Sequence, residues 1–129
     1  QEYDGGFLVV YSHPDHWVKL LFEKSHYGTF SVCSNVTNGN PDDSVNTDVP
    51  SKEVFLRLTR AKDVFGFYYS IDGKKWAYIR YFRFPTKGQL YVGLASQSPA
   101  GEQCTAVFSK IRYSPKAVGD FWTGEPKLE

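Results

Sequence analysis

Hydrophobic and polar residues alternate with a period of two along most of this chain. Val54, Leu56 and Leu58 alternate with Phe55, Arg57 and Thr59; Phe65, Phe67, Tyr69 and Ile71 alternate with Val64, Gly66, Tyr68 and Ser70. Trp76, Tyr78, Arg80, Phe82 and Phe84 alternate with Ala77, Ile79, Tyr81 and Arg83. Successive side chains of a strand point to opposite faces, so this pattern predicts three consecutive strands within residues 54–84. Asp72-Gly73 supplies a tight turn between the last two. Earlier strands are predicted over Gly6–Ser12, His16–Glu23 and Thr29–Val36, and later ones over Gln89–Gln97 and Gln103–Tyr113. Turn chemistry separates them at Ser12–Asp15, Lys24–Gly28, Pro85–Gly88 and Ser98–Glu102. Thr37–Ser51, rich in Asn, Asp, Ser and Pro with almost nothing to bury, reads as one long loop.

No 3.6-residue period of useful length occurs. Many short strands between regularly spaced turns predict an all-β, antiparallel β-sandwich or barrel. Residues 1–113 form the expected domain and 114–129, with Pro115, Gly119, Gly124 and Pro126, a C-terminal tail. The terminal Lys127-Leu128-Glu129 is assigned no role.

Composition narrows the partners. A net charge of +1 offers no electrostatic basis for binding nucleic acid or an anionic membrane. No apolar run reaches the roughly 18 residues of a membrane span. The chain starts at Gln1 and has no Met, which fits a processed or cut chain and leaves any targeting segment out of view. Cys33 and Cys104 are too few for a disulfide framework or a structural zinc site. They are two free buried thiols or one bridge in an oxidising compartment, so the localisation stays open between cytoplasmic and secreted. Asn35-Val36-Thr37 matches the glycosylation acceptor triplet, a short pattern that carries little weight.

The sequence holds no phosphate loop, CxxC, HExxH or GxSxG motif. His13, His16 and His26 lie near the first two turns and read as surface residues in preference to a metal site. Asp42-Asp43 with Asn38 and Asn40 reads as loop capping in preference to calcium binding. No cofactor or metal is expected. Glu23 is the acid that ends a strongly apolar run, either a strand end in solvent or a hydrogen-bonding or acid–base group on a sheet face. The aromatic content of 17% is high. Tyr68, Trp76, Tyr78, Arg80, Tyr81, Arg83 and Tyr91 cannot all be inside. They serve either cross-strand pairing or a ligand, since flat rings match the C–H faces of sugars and Arg, Asn and Gln match the hydroxyls.

VFLRLTRAKDVFGFYYSIDGKKWAYIRYFRFP followed by YVGLASQSPAGEQCTAVFSKIRY resembles the regulation-of-enolase family of the concanavalin A-like lectin and glucanase superfamily. YDGGFLVVYSHPDHWVKLLFE and SVCSNVTNGNPDDS extend the resemblance over roughly residues 3–113. It implies a jelly-roll sandwich with a concave sheet that binds glycans in relatives. Carried over by position, the implied carbohydrate-binding residues are Trp17, Lys19, Glu23, Asn35, Thr37, Asp43, Trp76, Arg80 and Gln97. The leading expectation is a glycan-binding module without catalysis of its own. The alternatives are a glycoside hydrolase or polysaccharide lyase with Glu23 and Asp43 as catalytic carboxylates, and a protein-interaction module that regulates an intracellular enzyme. The family's segments also imply strands ahead of Tyr3. Gly6–Ser12 is therefore expected at an unpaired edge, completed by a homodimer or by an N-terminal fragment.

Overall fold

A computed structural model describes residues 1–86 and 88–126. All the regular elements among them are strands: β1 (Gly5–His13), β2 (His16–Lys24), β3 (Phe30–Asn38), β4 (Asn40–Val49), β5 (Phe55–Ala61), β6 (Val64–Ser70), β7 (Ala77–Arg83) and β8 (Tyr91–Gln97). They make two antiparallel sheets, β4-β3-β2-β1-β8 and β5-β6-β7, packed as a jelly-roll-type sandwich. The expected all-β sandwich is thus the fold. Lys87, in the turn expected at Pro85–Gly88, and Lys127–Glu129 lie outside the described residues.

Alternation sorts the side chains. Val18, Leu20 and Phe22 of β2, and Val32 and Val36 of β3, face inward against Phe65, Phe67 and Phe84. The odd-numbered residues of β1, β2 and β3 therefore point to the other face of the larger sheet. Edge-to-face contacts between Phe65 and Phe84 and between Phe67 and Phe82 give the core a specific packing beyond its buried area.

Three expectations are corrected. Residues 40–49 are a strand, where a loop through Ser51 was expected. β4 is an edge strand whose outer side faces water, so it needs no apolar face, and Pro41 is tolerated there because an edge leaves amide positions unpaired. Residues 103–113 form no strand: the alternation is present, but no neighbour among the described residues pairs with it, and Lys110 has a positive φ of 53°. Finally, β1 is not at an edge. It lies between β2 and β8, with Val10 opposite both Val18 and Val92.

The β6–β7 connection is longer than a two-residue hairpin. Asp72 closes it by accepting from Ser70 Oγ at 3.0 Å and from the amides of Lys74 and Lys75, each at 2.8 Å. Those amides hold the Asp72 carboxyl down at about 2. Gly73 supplies the left-handed residue at φ 70°.

Residues 118–124 lie across the outer face of β5 and β6. Val118 N donates to Thr59 Oγ1 at 3.1 Å and Tyr68 Oη to the Phe121 carbonyl at 2.6 Å. This strap leaves Tyr68 fully buried.

Candidate functional site

The outward face of the larger sheet carries a cluster of polar side chains that the register brings together. Trp17, Lys19, Leu21 and Glu23 of β2 stand opposite Thr37, Asn35, Cys33 and Ser31 of β3, and Asp43 of β4 stands opposite Asn35. Gln97 enters from β8, separated from Glu23 only by Gly5 of β1. Between these residues lies a cleft of about 380 Å³, lined by Lys19, Glu23, Cys33, Asn35, Asp43 and Gln97 and bounded by Tyr3 and Pro99.

The polar groups are joined. Lys19 Nζ donates to Gln97 Oε1 at 2.8 Å, and Gln97 Nε2 donates to Glu23 Oε2 and to the Tyr3 carbonyl, each at 3.2 Å. The Cys33 thiol donates to Glu23 Oε1 at 3.4 Å. Asn35 donates to Asp43, and Thr37 Oγ1 donates to Asn35 Oδ1 at 2.7 Å. The Lys19 ammonium also lies 5.2 Å from the Phe7 ring centre and 5.6 Å from that of Trp17, which supports a cation on an otherwise apolar strip.

Burial sets the protonation of this network. It pushes the Glu23 carboxyl up, against the thiol hydrogen bond and the Lys19 charge, and the Asp43 charge adds to the rise. Burial and the adjacent Glu23 charge push the Cys33 thiol up to about 12. At neutral pH Cys33 is thus a protonated donor with little thiolate character. Both cysteines are free. Asn35 is buried in β3 with its amide bonded to Asp43, a poor acceptor for an attached glycan.

The sequence candidates Trp17, Lys19, Glu23, Asn35, Thr37, Asp43 and Gln97 all share this face. Trp76 and Arg80 do not. Trp76 lies just before β7, with the Arg57 guanidinium 3.7 Å over its ring, and Arg57 in turn donates to the Gly124 carbonyl at 2.5 Å. Arg80 points inward: its guanidinium lies 5.1 Å from the Phe82 ring centre and 3.3 Å from Asp42. A register shift between Phe67 and Tyr68 explains this, because it breaks the alternation that put Tyr78 and Arg80 on one face. His16 is engaged by Asn38, the Pro85 carbonyl and a stack on Phe84.

Sequence reasoning missed Gly5, Cys33 and Tyr3. A Cβ on Gly5 would lie 2.4 Å from the Phe22 carbonyl oxygen and 2.7 Å from the Glu23 Cβ, so only glycine lets Gln97 and Glu23 meet there. The Tyr-Asp-Gly-Gly start held the signal, but its meaning needs β8 as the neighbour of β1. A larger hollow of about 490 Å³, at Thr29–Phe30 and Asp48–Lys52, holds none of the candidates. Its one acid, Asp48, is taken by Ser31 at 2.5 Å and Thr29 at 3.1 Å.

The model of the DUF1349 family, proteins of unknown function, matches residues 1–116. The chain belongs to this family. It is 30% identical over 109 residues to Regulation of enolase protein 1 of Saccharomyces cerevisiae, an alignment covering 84% of this chain and 54% of the relative. A crystal structure of a functionally unknown protein from Saccharomyces cerevisiae superposes with a TM-score of 0.66 at 30% identity, covering 77% of this chain and 54% of that one. The chain therefore spans about half the length of this curated relative. The family read from residues 3–113 is borne out.

Proposed function

We propose that the outward face of the larger sheet binds a carbohydrate and performs no chemistry on it. The observation that carries this reading is the hydrogen-bonded row Lys19–Gln97–Glu23, set beside Asn35–Asp43 in a shallow cleft with Trp17 on the same face. Few, fixed polar groups next to apolar and aromatic surface suit a ligand that offers hydroxyls along its edges and C–H bonds on its faces. Donors and acceptors both occur in the row, as a hydroxyl requires.

A glycosidase reading has less support. Glu23 and Asp43 line the same cleft, but the Asp43 carboxylate accepts from the Asn35 amide. Both Glu23 oxygens are already hydrogen-bonded, to Cys33 and to Gln97. A catalytic carboxyl pair needs one member free to attack or to activate water.

The name of the yeast relative, Regulation of enolase protein 1, favours a second reading, a module that acts on a protein partner. A glycan-array screen at several protein concentrations separates the two. Concentration-dependent binding to a defined group of glycans supports the carbohydrate reading, and an array at background throughout rejects it. Co-elution with purified enolase, without glycan binding, would support the second.

A further inference from the structure

The polar groups of the cleft fall into two layers. Glu23, Cys33, Asn35 and Thr37 form its floor, and none of them is more than 8% exposed. Their polar atoms answer one another. Glu23 accepts from Cys33 on one oxygen and from Gln97 on the other. Asn35 donates to Asp43 and accepts from Thr37. Half-buried Gln97 uses both hydrogens of its amide, on Glu23 and on the Tyr3 carbonyl.

Lys19 and Asp43 differ from this floor. The Lys19 ammonium carries three hydrogens and gives one of them, to Gln97 Oε1 at 2.8 Å. Asp43 is exposed and accepts from Asn35 through Oδ1, while its Oδ2 has no partner among the described residues. The register sets Lys19, Asn35 and Asp43 in one row across β2, β3 and β4. A charged donor and a charged acceptor thus stand on either side of the buried Asn35, both with hydrogen-bonding capacity left over. Trp17 stands next to Lys19 on this face. Its Nε1 donates to the Pro14 carbonyl at 3.0 Å, so what it offers a ligand is its ring.

We propose that Lys19 and Asp43 make the polar contacts that select the ligand, and that they select one neutral sugar ring. One ring hydroxyl accepts from Lys19 and a second donates to Asp43. Glu23, Gln97, Cys33, Asn35 and Thr37 are positioning residues that hold these two heads in place. The inference rests on the carbohydrate reading and deepens it. Hydrogen bonds from or to an ionised group are the stronger kind, so these two contacts outweigh any the floor could add. A carboxylated or sulfated sugar would gain from Lys19 and be repelled by Asp43. A neutral ring satisfies both charges and adds no third.

The test is binding of the full chain to an array of neutral, sialylated and sulfated glycans, then competition with monodeoxy methyl glycosides of the bound sugar. Neutral glycans should bind, and loss of a hydroxyl at two positions of one ring should weaken competition about tenfold or more. Lys19→Met should lose the sensitivity to one of those positions and Asp43→Ala the sensitivity to the other. Glu23→Gln and Thr37→Val should weaken every probe by a common factor and leave the positional preference as it was, as positioning residues require. A preference for sialylated or sulfated glycans overturns the inference and leaves the carbohydrate reading standing. So does a positional preference that survives both Lys19→Met and Asp43→Ala, or one that changes in Glu23→Gln. Background signal on the whole array rejects the carbohydrate reading and this inference with it.

Discussion

Gln97 and Glu23 touch across an intervening strand: the Gln97 amide donates to Glu23 Oε2 at 3.2 Å directly over Gly5. Replacing Gly5 by Ala puts a methyl group within 2.4 Å of the Phe22 carbonyl. Overpacking of this kind costs about 1–3 kcal/mol. Gly93 is the control, because a Cβ there meets only Val9 Cγ1 at 3.6 Å. In urea denaturation Gly5→Ala should lose that stability, while Gly93→Ala should change by less than about 0.5 kcal/mol. Equal effects would mean that Gly5 has no special place.

Glu23 gives the site a pH signature. Its folded pKa is raised above the ordinary carboxylate value, chiefly by burial, so the folded state holds its proton more tightly than the unfolded chain. The corresponding stability is fully present below the unfolded value and is lost as pH rises through the folded value. Glu23→Gln removes this dependence. Relative to that variant, the wild type should become progressively less stable as pH rises from about 4 upward. The lowered carboxyls Asp4, Asp63 and Asp72 are present in both proteins and cancel in the difference. A stability difference that stays flat from pH 3.5 to 7 would contradict the assignment.

Much of this face was legible before the structure. The family resemblance carried Trp17, Lys19, Glu23 and Asn35 over by position, and the β2–β3 register gives the reason they share a face, since every second residue of these strands leaves the core. β4 was not legible, because an edge strand with a solvated side imposes no apolar pattern, and NPDDSV reads like any polar loop. Arg80 misled for the opposite reason: the alternation was clear, but the register shift beside Tyr68 is a tertiary feature. Residues 103–113 show that alternation states a preference, while a strand also needs a neighbour to pair with.

The two thiols should react differently. Cys33 is buried and held protonated up to about 12, while Cys104 is half-exposed. Under native conditions at pH 8, an aromatic disulfide reagent should modify Cys104 at least tenfold faster than Cys33. In denaturant both should titrate. A single reactive thiol under denaturing, non-reducing conditions would contradict the free pair.

The strap of residues 118–124 depends on Tyr68. Tyr68→Phe removes the 2.6 Å hydrogen bond to the Phe121 carbonyl and should lower stability by about 1 kcal/mol. The amide of Gly124, which donates to the Asp120 carbonyl at 2.9 Å, should then exchange faster than in the wild type. Unchanged exchange at Gly124 would show that the strap is held by other contacts, such as Arg57 to the Gly124 carbonyl.

The claim that the larger sheet's outward face binds carbohydrate is tested most directly by comparing Trp17→Ala and Trp122→Ala on one glycan array. Trp17 lies beside Lys19 on the candidate face, whereas Trp122 packs on Tyr78 and Tyr81 over the smaller sheet. The expected result is wild-type binding to a defined set of glycans, at least tenfold weaker in Trp17→Ala and unchanged in Trp122→Ala. Binding that survives Trp17→Ala and fails in Trp122→Ala, or no wild-type binding at all, would contradict it.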